Sequence, residues 1–141
     1  MKALIIEDEQ KSREMLSEIL KKYYPQIAIL GLAKNVAEAV ELIEKTKPNL
    51  LFLDISMPDG TGFDVLEKTL GNHFDIIFTT ATDKHALKAI KYSACDYLLK
   101  PIDLDELQEA INRVEKKRAV EIPSMENLQF LIQNLKRTDD N

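Results

Sequence analysis

Leu50-Leu51-Phe52-Leu53-Asp54-Ile55-Ser56-Met57-Pro58-Asp59-Gly60-Thr61-Gly62 is an apolar run that ends on a carboxylate and breaks into a loop whose proline and glycines mark tight turns. The same shape recurs three times along the chain. Asp8 follows Ala3-Ile6, Thr80 follows Ile76-Phe78, and Lys100 follows Tyr97-Leu99. If the four runs are strands of one parallel sheet, all four polar groups meet on its carboxyl edge, where open α/β sheets bind their ligands.

Outward from that stretch, short apolar runs alternate with longer segments of helical period from Met1 to about Ala119, and the cycle repeats about five times. This is the pattern of a parallel sheet with crossover helices. The expected first helix spans Gln10 to Tyr23, with Met15, Leu16, Ile19, Leu20 and Tyr23 on one face and Pro25 helping to stop it. A second strand, Ile27-Ala33, leads to a helix opened by Asn35 with Glu38 and carrying Val36, Ala39, Val40 and Ile43; Lys47-Pro48 closes it. Thr61 with Asp64 predicts a cap on a short third helix. Asp75-Thr79, Asp83-Tyr92 and Cys95-Leu99 read as strand, helix and strand. The next helix opens at Asp103-Leu104-Asp105-Glu106 and is expected to bury Leu104, Leu107, Ile111 and Val114.

Past Lys116-Lys117-Arg118 the pattern changes. Residues 120–141 are expected to hold one more amphipathic helix, starting near Pro123-Ser124 with Met125, Leu128, Ile132 and Leu135 on a stripe, and then a polar end. The expected organisation is thus a domain over residues 1–119 followed by a C-terminal helix or linker. The fold class is α/β: a flavodoxin-like, doubly wound, five-stranded parallel sheet with helices on both faces.

Composition narrows the function classes. Apolar and charged fractions of 45% and 30% are those of an ordinary globular protein, and a net charge of -5 leaves no footprint for nucleic acid or an anionic membrane. No apolar stretch approaches a membrane span and the amino terminus does not read as a signal peptide, so a cytoplasmic location is expected. Cys95, the single cysteine, reads as a packing residue, and His73 and His85 as surface residues.

If the sheet takes the order 2-1-3-4-5 known from flavodoxin-like folds, strands 1 and 3 are neighbours at the switch point and Asp8 lies beside Asp54. Adjacent carboxylates repel unless a cation joins them, and Mg²⁺ is the hard, oxygen-seeking choice. Glu7 adds negative field and can hold a metal-bound water. Asp54, at the mouth of its strand, can act as a nucleophile toward a phosphoryl group. Lys100 then supplies charge and Thr80 a hydroxyl to the phosphoryl oxygens.

Ile5-Ile6-Glu7-Asp8-Glu9, Leu53-Asp54-Ile55-Ser56-Met57-Pro58, Thr79-Thr80-Ala81 and Asp96-Tyr97-Leu98-Leu99-Lys100-Pro101 together resemble the motifs of the response-regulator receiver domain, over about Met1 to Arg118. The resemblance implies that Asp54 is the phosphoacceptor, that Asp8 ligates Mg²⁺ directly and Glu7 through water, and that Ser56 gives its backbone carbonyl to the metal. It also implies that Thr80 and Lys100 contact the phosphoryl group and that Tyr97 is an aromatic switch. Glu7 stands where an aspartate is commoner.

Ile77-Phe78-Thr79-Thr80-Ala81, Ala86-Leu87-Lys88-Ala89 and Asp96 to Ile102 are similar to receivers of the LytTR class, which precede a DNA-binding domain of that type. That implies a sensor histidine kinase as donor and a homodimer through the fourth helix, fifth strand and last receiver helix. DNA would be reached only through an effector domain outside this sequence, the receiver here ending in its linker. A dehalogenase-like phosphatase also uses a nucleophilic aspartate with Mg²⁺, but it needs a second aspartate where this chain has Ser56. A receiver that serves only as an interaction module has no need of Asp8, Asp54, Thr80 and Lys100 together.

Overall fold

The computed structural model describes residues 1–121 and Gln133. Five strands, β1 (Lys2–Ile6), β2 (Ala28–Ala33), β3 (Leu50–Leu53), β4 (Asp75–Thr80) and β5 (Asp96–Leu99), alternate with five helices: α1 (Gln10–Tyr23), α2 (Val36–Thr46), α3 (Gly62–Lys68), α4 (Ala86–Lys91) and α5 (Leu104–Glu121). The strands form one parallel sheet, as the alternation predicts, and its order is β2-β1-β3-β4-β5, the doubly wound order expected above. A separate two-residue antiparallel ladder pairs Ser56–Met57 with Gly60–Thr61 in the β3–α3 loop.

The central strands are apolar throughout because both faces are covered. Leu4, Ile6, Leu51, Leu53 and Phe78 point to one face and pack with Val36, Ile43, Phe63 and Leu66 of α2 and α3. Ala3, Ile5, Phe52 and Ile77 point to the other and meet Leu16 and Leu20 of α1 and Leu107, Ile111 and Val114 of α5. Period-two alternation along each strand thus feeds two cores.

Local signals set the helix ends. Asn35 accepts from the Glu38 amide at 2.8 Å, while the Glu38 carboxylate reaches back to the Lys34 amide at 3.0 Å. Thr61 and Asp64 form the expected reciprocal capping box on α3. Asp103 accepts from the amides of Asp105 and Glu106 at the start of α5. Lys47, in the left-handed region at φ 50°, ends α2 before Pro48.

Several expectations are corrected. Met15 and Tyr23 are 61% and 57% exposed, so the buried face of α1 is Leu16, Ser17 and Leu20, continued by Tyr24. Leu104 is 53% exposed, its neighbours Asp105 and Glu106 are exposed too, and burial on α5 begins at Leu107. The fourth helix covers only Ala86–Lys91. Before it, the Thr82 hydroxyl accepts from the Lys84 amide and Ala86 N–H donates to the Asp83 carbonyl, a turn rather than a helix. After it, Ser93 takes φ 59° and the chain reverses.

Cys95 is half-buried, its thiol 3.6 Å from an Asp75 carboxylate oxygen that also accepts from Lys117 at 2.8 Å. His73 is exposed, but His85 is half-buried with its ring edge-on to Phe63. The helix expected from Pro123 onward, with its Met125, Leu128, Ile132 and Leu135 stripe, lies outside the described residues. Among the described residues no helix is long and apolar enough to cross a membrane.

Candidate functional site

Parallel pairing of β1 with β3 matches Ile6 to Leu53, and the Asp54 amide donates to the Ile6 carbonyl at 2.9 Å. The next residues of both strands therefore leave the sheet side by side. Glu7, Asp8 and Asp54 bring carboxylate oxygens within 4.8 Å of one another. Glu7 and Asp54 are buried; Asp8 is exposed at the mouth.

From the neighbouring strands come the other two groups. Thr80 ends β4 and is buried. The Lys100 amide donates to its carbonyl at 2.8 Å, and the Lys100–Pro101 bond is cis. The Lys100 ammonium donates to Asp54 Oδ2 at 3.1 Å and pairs with Glu7 Oε1. Asp54 Oδ1 accepts from the Ile55 amide at 2.7 Å. All four strand-end groups thus occupy the carboxyl edge.

Charge in this cluster is out of balance. Burial, together with the hydrogen bond to Asp54 and its charge, pushes the Glu7 carboxyl up to about 8, and Lys100 offsets only part of this. Burial alone would pull the Lys100 ammonium down, but its bond to Glu7 and the charge of Asp54 hold it above the ordinary lysine value. Three acidic groups face one ammonium, and Glu7 is driven toward its protonated form for want of positive charge, so the cluster has room for a cation. An all-oxygen donor set with one exposed acid at its mouth fits a hard divalent cation such as Mg²⁺.

Ser56 lies exposed where the loop ladder begins. Tyr97 lies two residues before the end of β5, half-buried, its ring 6.1 Å from that of Phe78 and its hydroxyl donating to the Thr82 carbonyl at 2.5 Å. It is set beside β4 and the loop after Thr80, rather than in the carboxylate cluster.

Two supporting residues were not apparent from local pattern. Arg13 of α1 donates to the carbonyls of Glu7 and Asp8 at 2.9 and 3.3 Å, holding the acidic turn. Gly62 sits so close beneath Asp54 that a β-carbon there would lie 2.5 Å from the Asp54 carbonyl oxygen. The glycine signals a turn in the sequence, but the contact that demands it is visible only in three dimensions.

The family model for the response regulator receiver domain matches residues 3–112. The chain is 39% identical over 125 residues to the sensory transduction protein LytT of Enterococcus faecalis, covering 87% of this chain and 51% of that protein. It is 38% identical over 134 residues to the transcriptional regulatory protein BtsR of Salmonella typhi, covering 93% and 56%. The chain spans about half the length of these curated relatives. Among solved structures it is similar to the REC domain of AraT, a response regulator from Geobacillus stearothermophilus, with TM-score 0.77 and 31% identity over 85% of this chain and 96% of that one. It is also similar to the response regulatory domain of mrkE from Klebsiella pneumoniae, with TM-score 0.76 and 26% identity over 83% and 97%.

Proposed function

The chain belongs to the response regulator receiver domain family of two-component systems, and we propose that Asp54 is its phosphoacceptor, charged by a sensor histidine kinase. A Lys100 ammonium between buried Asp54 and Glu7, with Asp8 at the mouth, is the observation that carries this reading. An Asp54 carboxylate oxygen attacks the phosphorus of a phosphohistidine in line. An O–P bond forms as the N–P bond breaks, and the imidazole leaves.

Asp8, Asp54 and the Ser56 carbonyl are the residues that would hold Mg²⁺, with Glu7 acting through a water. When bound, Mg²⁺ neutralises negative charge on the phosphoryl oxygens. Lys100 already lies within hydrogen-bonding distance of Asp54, so a phosphoryl group attached there arrives beside its ammonium. The Thr80 hydroxyl donates to another phosphoryl oxygen and is drawn inward. Tyr97, beside β4, fills the space that Thr80 leaves and biases a pre-existing equilibrium at the surface formed by α4, β5 and α5.

That surface is the proposed homodimer contact, and the setting is cytoplasmic. The share of LytT and BtsR that the chain spans, and the name of BtsR as a transcriptional regulatory protein, support a receiver over residues 1–119 and a C-terminal helix or linker over 120–141. This unit would control transcription through a LytTR-type DNA-binding domain outside the present sequence. The test is intact mass after incubation with Mg²⁺ and acetyl phosphate, and then with a phosphorylated histidine kinase. One alkali-labile phosphoryl adduct is expected, lost in Asp54→Asn; no adduct from either donor overturns the proposal.

A further inference from the structure

The loop that follows Asp54 is tied to an element far from it in sequence. Asp59, at the tip of the two-pair ladder, accepts from the Val36 amide through Oδ1 at 2.8 Å and from the Ala37 amide through Oδ2 at 3.1 Å. These are the first two N–H groups of α2; the third, of Glu38, is taken by the helix's own cap, Asn35. A helix start with two orphan donors favours a carboxylate. The Val36 amide, the largest influence, and the Ala37 amide hold the Asp59 carboxyl below its ordinary range.

The tip also packs closely on α2. A β-carbon on Gly60, whose φ is +155°, would lie 2.6 Å from Asp64 Oδ2 of α3 and 3.3 Å from Val36 Cγ2 of α2, so the tip is wedged between the two helices. The other ties of this loop lead elsewhere. Gly62 N–H donates to the Ile55 carbonyl at 2.8 Å, and the Thr61–Asp64 box belongs to α3. A ladder of two residue pairs is too short to hold its own shape. Ser56 sits on the strand of that ladder next to Asp54, between Ile55 and Met57, whose buried side chains hold the near end of the hairpin, while Asp59 holds its tip.

We propose that Asp59 is a positioning residue for Mg²⁺ binding: by clamping the tip of the β3–α3 loop to the amino terminus of α2, it aims the Ser56 carbonyl at the cation. This rests on the reading of Asp8, Asp54 and Ser56 as the Mg²⁺ ligands given above. Asn35→Ala is the informative control, because it removes a cap from the same helix without touching the loop.

The experiment is calorimetric titration of the full chain with Mg²⁺, with circular dichroism and thermal melts on every variant. Asp59→Ala is expected to weaken Mg²⁺ binding about ten-fold, as loss of an outer support for a metal ligand does. Asp59→Asn, which keeps one acceptor oxygen, is expected to weaken it less. Asn35→Ala is expected to lower the melting temperature and leave Mg²⁺ affinity unchanged. Wild-type affinity in Asp59→Ala, or equal weakening in Asn35→Ala, overturns the inference. If Asp59→Ala does not fold, Asp59→Asn against Asn35→Ala decides in the same way. Asp8→Asn tests the ligand reading separately: wild-type affinity there removes that reading and this inference with it, whereas lost binding in Asp8→Asn beside unchanged binding in the Asp59 variants overturns the role of Asp59 alone.

Discussion

Gly62 carries no functional group, yet a β-carbon at this position would meet the Asp54 carbonyl oxygen at 2.5 Å and Leu53 Cγ at 3.1 Å. Backbone cannot yield as the tip of a flexible side chain can, so Gly62→Ala is expected to cost about 2 kcal/mol. Urea unfolding reads this as a lowered midpoint, and an unchanged midpoint would show that the loop has slack. Cys95 makes a different single-residue test. Burial first, and then the charge of Asp75, push its thiol pKa up. The reactive thiolate is therefore scarcer than in a free cysteine at any pH below that raised value. Iodoacetamide should label Cys95 more slowly than a free thiol at pH 8, the rate should climb as pH increases, and Asp75→Asn should speed labelling. A rate at pH 8 equal to that of a free thiol would contradict this account.

At the scale of elements, α5 separates helical period from burial. Leu104 and Ile111 both fit the apolar stripe, but Leu104 is 53% exposed and Ile111 is fully buried between β-sheet and α1 residues. Ile111→Ala should destabilise by about 3 kcal/mol through the cavity it leaves. Leu104→Ala should change stability by about 0.5 kcal/mol or less. Equal effects in thermal melts would place the first turn of α5 on the core after all. The same distinction separates Leu16 and Leu20 from Met15 and Tyr23 on α1, since a stripe on the helix is wider than the surface available to cover it. Caps were easier to read, because an N-cap works within three residues and needs no distant partner: Asn35 and Thr61 both act as their spacing predicts.

For the whole molecule, two cores on opposite faces of one sheet place the reactive groups at its carboxyl edge, and among the described residues the outer side of α4 and β5 carries exposed apolar groups. Leu87, Ile90 and Leu99 are 80%, 70% and 43% exposed there. Phosphorylation is expected to convert the chain from monomer to dimer through this surface, measured by sedimentation with and without acetyl phosphate and Mg²⁺. Leu87→Glu should keep the phosphoryl adduct and lose the dimer. A phosphorylated chain that stays monomeric, or a Leu87→Glu variant that still dimerises, would move the contact elsewhere.

The division of labour between sequence and tertiary structure follows the range of each interaction. Apolar runs that end on Asp54, Thr80 and Lys100, the alternation of strand and helix, and the capping pairs act over a few residues, and these alone determined the segmentation, the α/β class and the inventory of reactive groups. The contacts that make those groups into one site span long stretches of chain: Lys100 to Asp54, Arg13 to Glu7, Asp59 to Val36, and Gly62 under Asp54. Which neighbour a polar group meets depends on strand order and register, and these are settled only when both faces of the sheet are packed at once. Only the tertiary structure therefore decided that Lys100 lies between Glu7 and Asp54, and that the loop after Asp54 is held from α2.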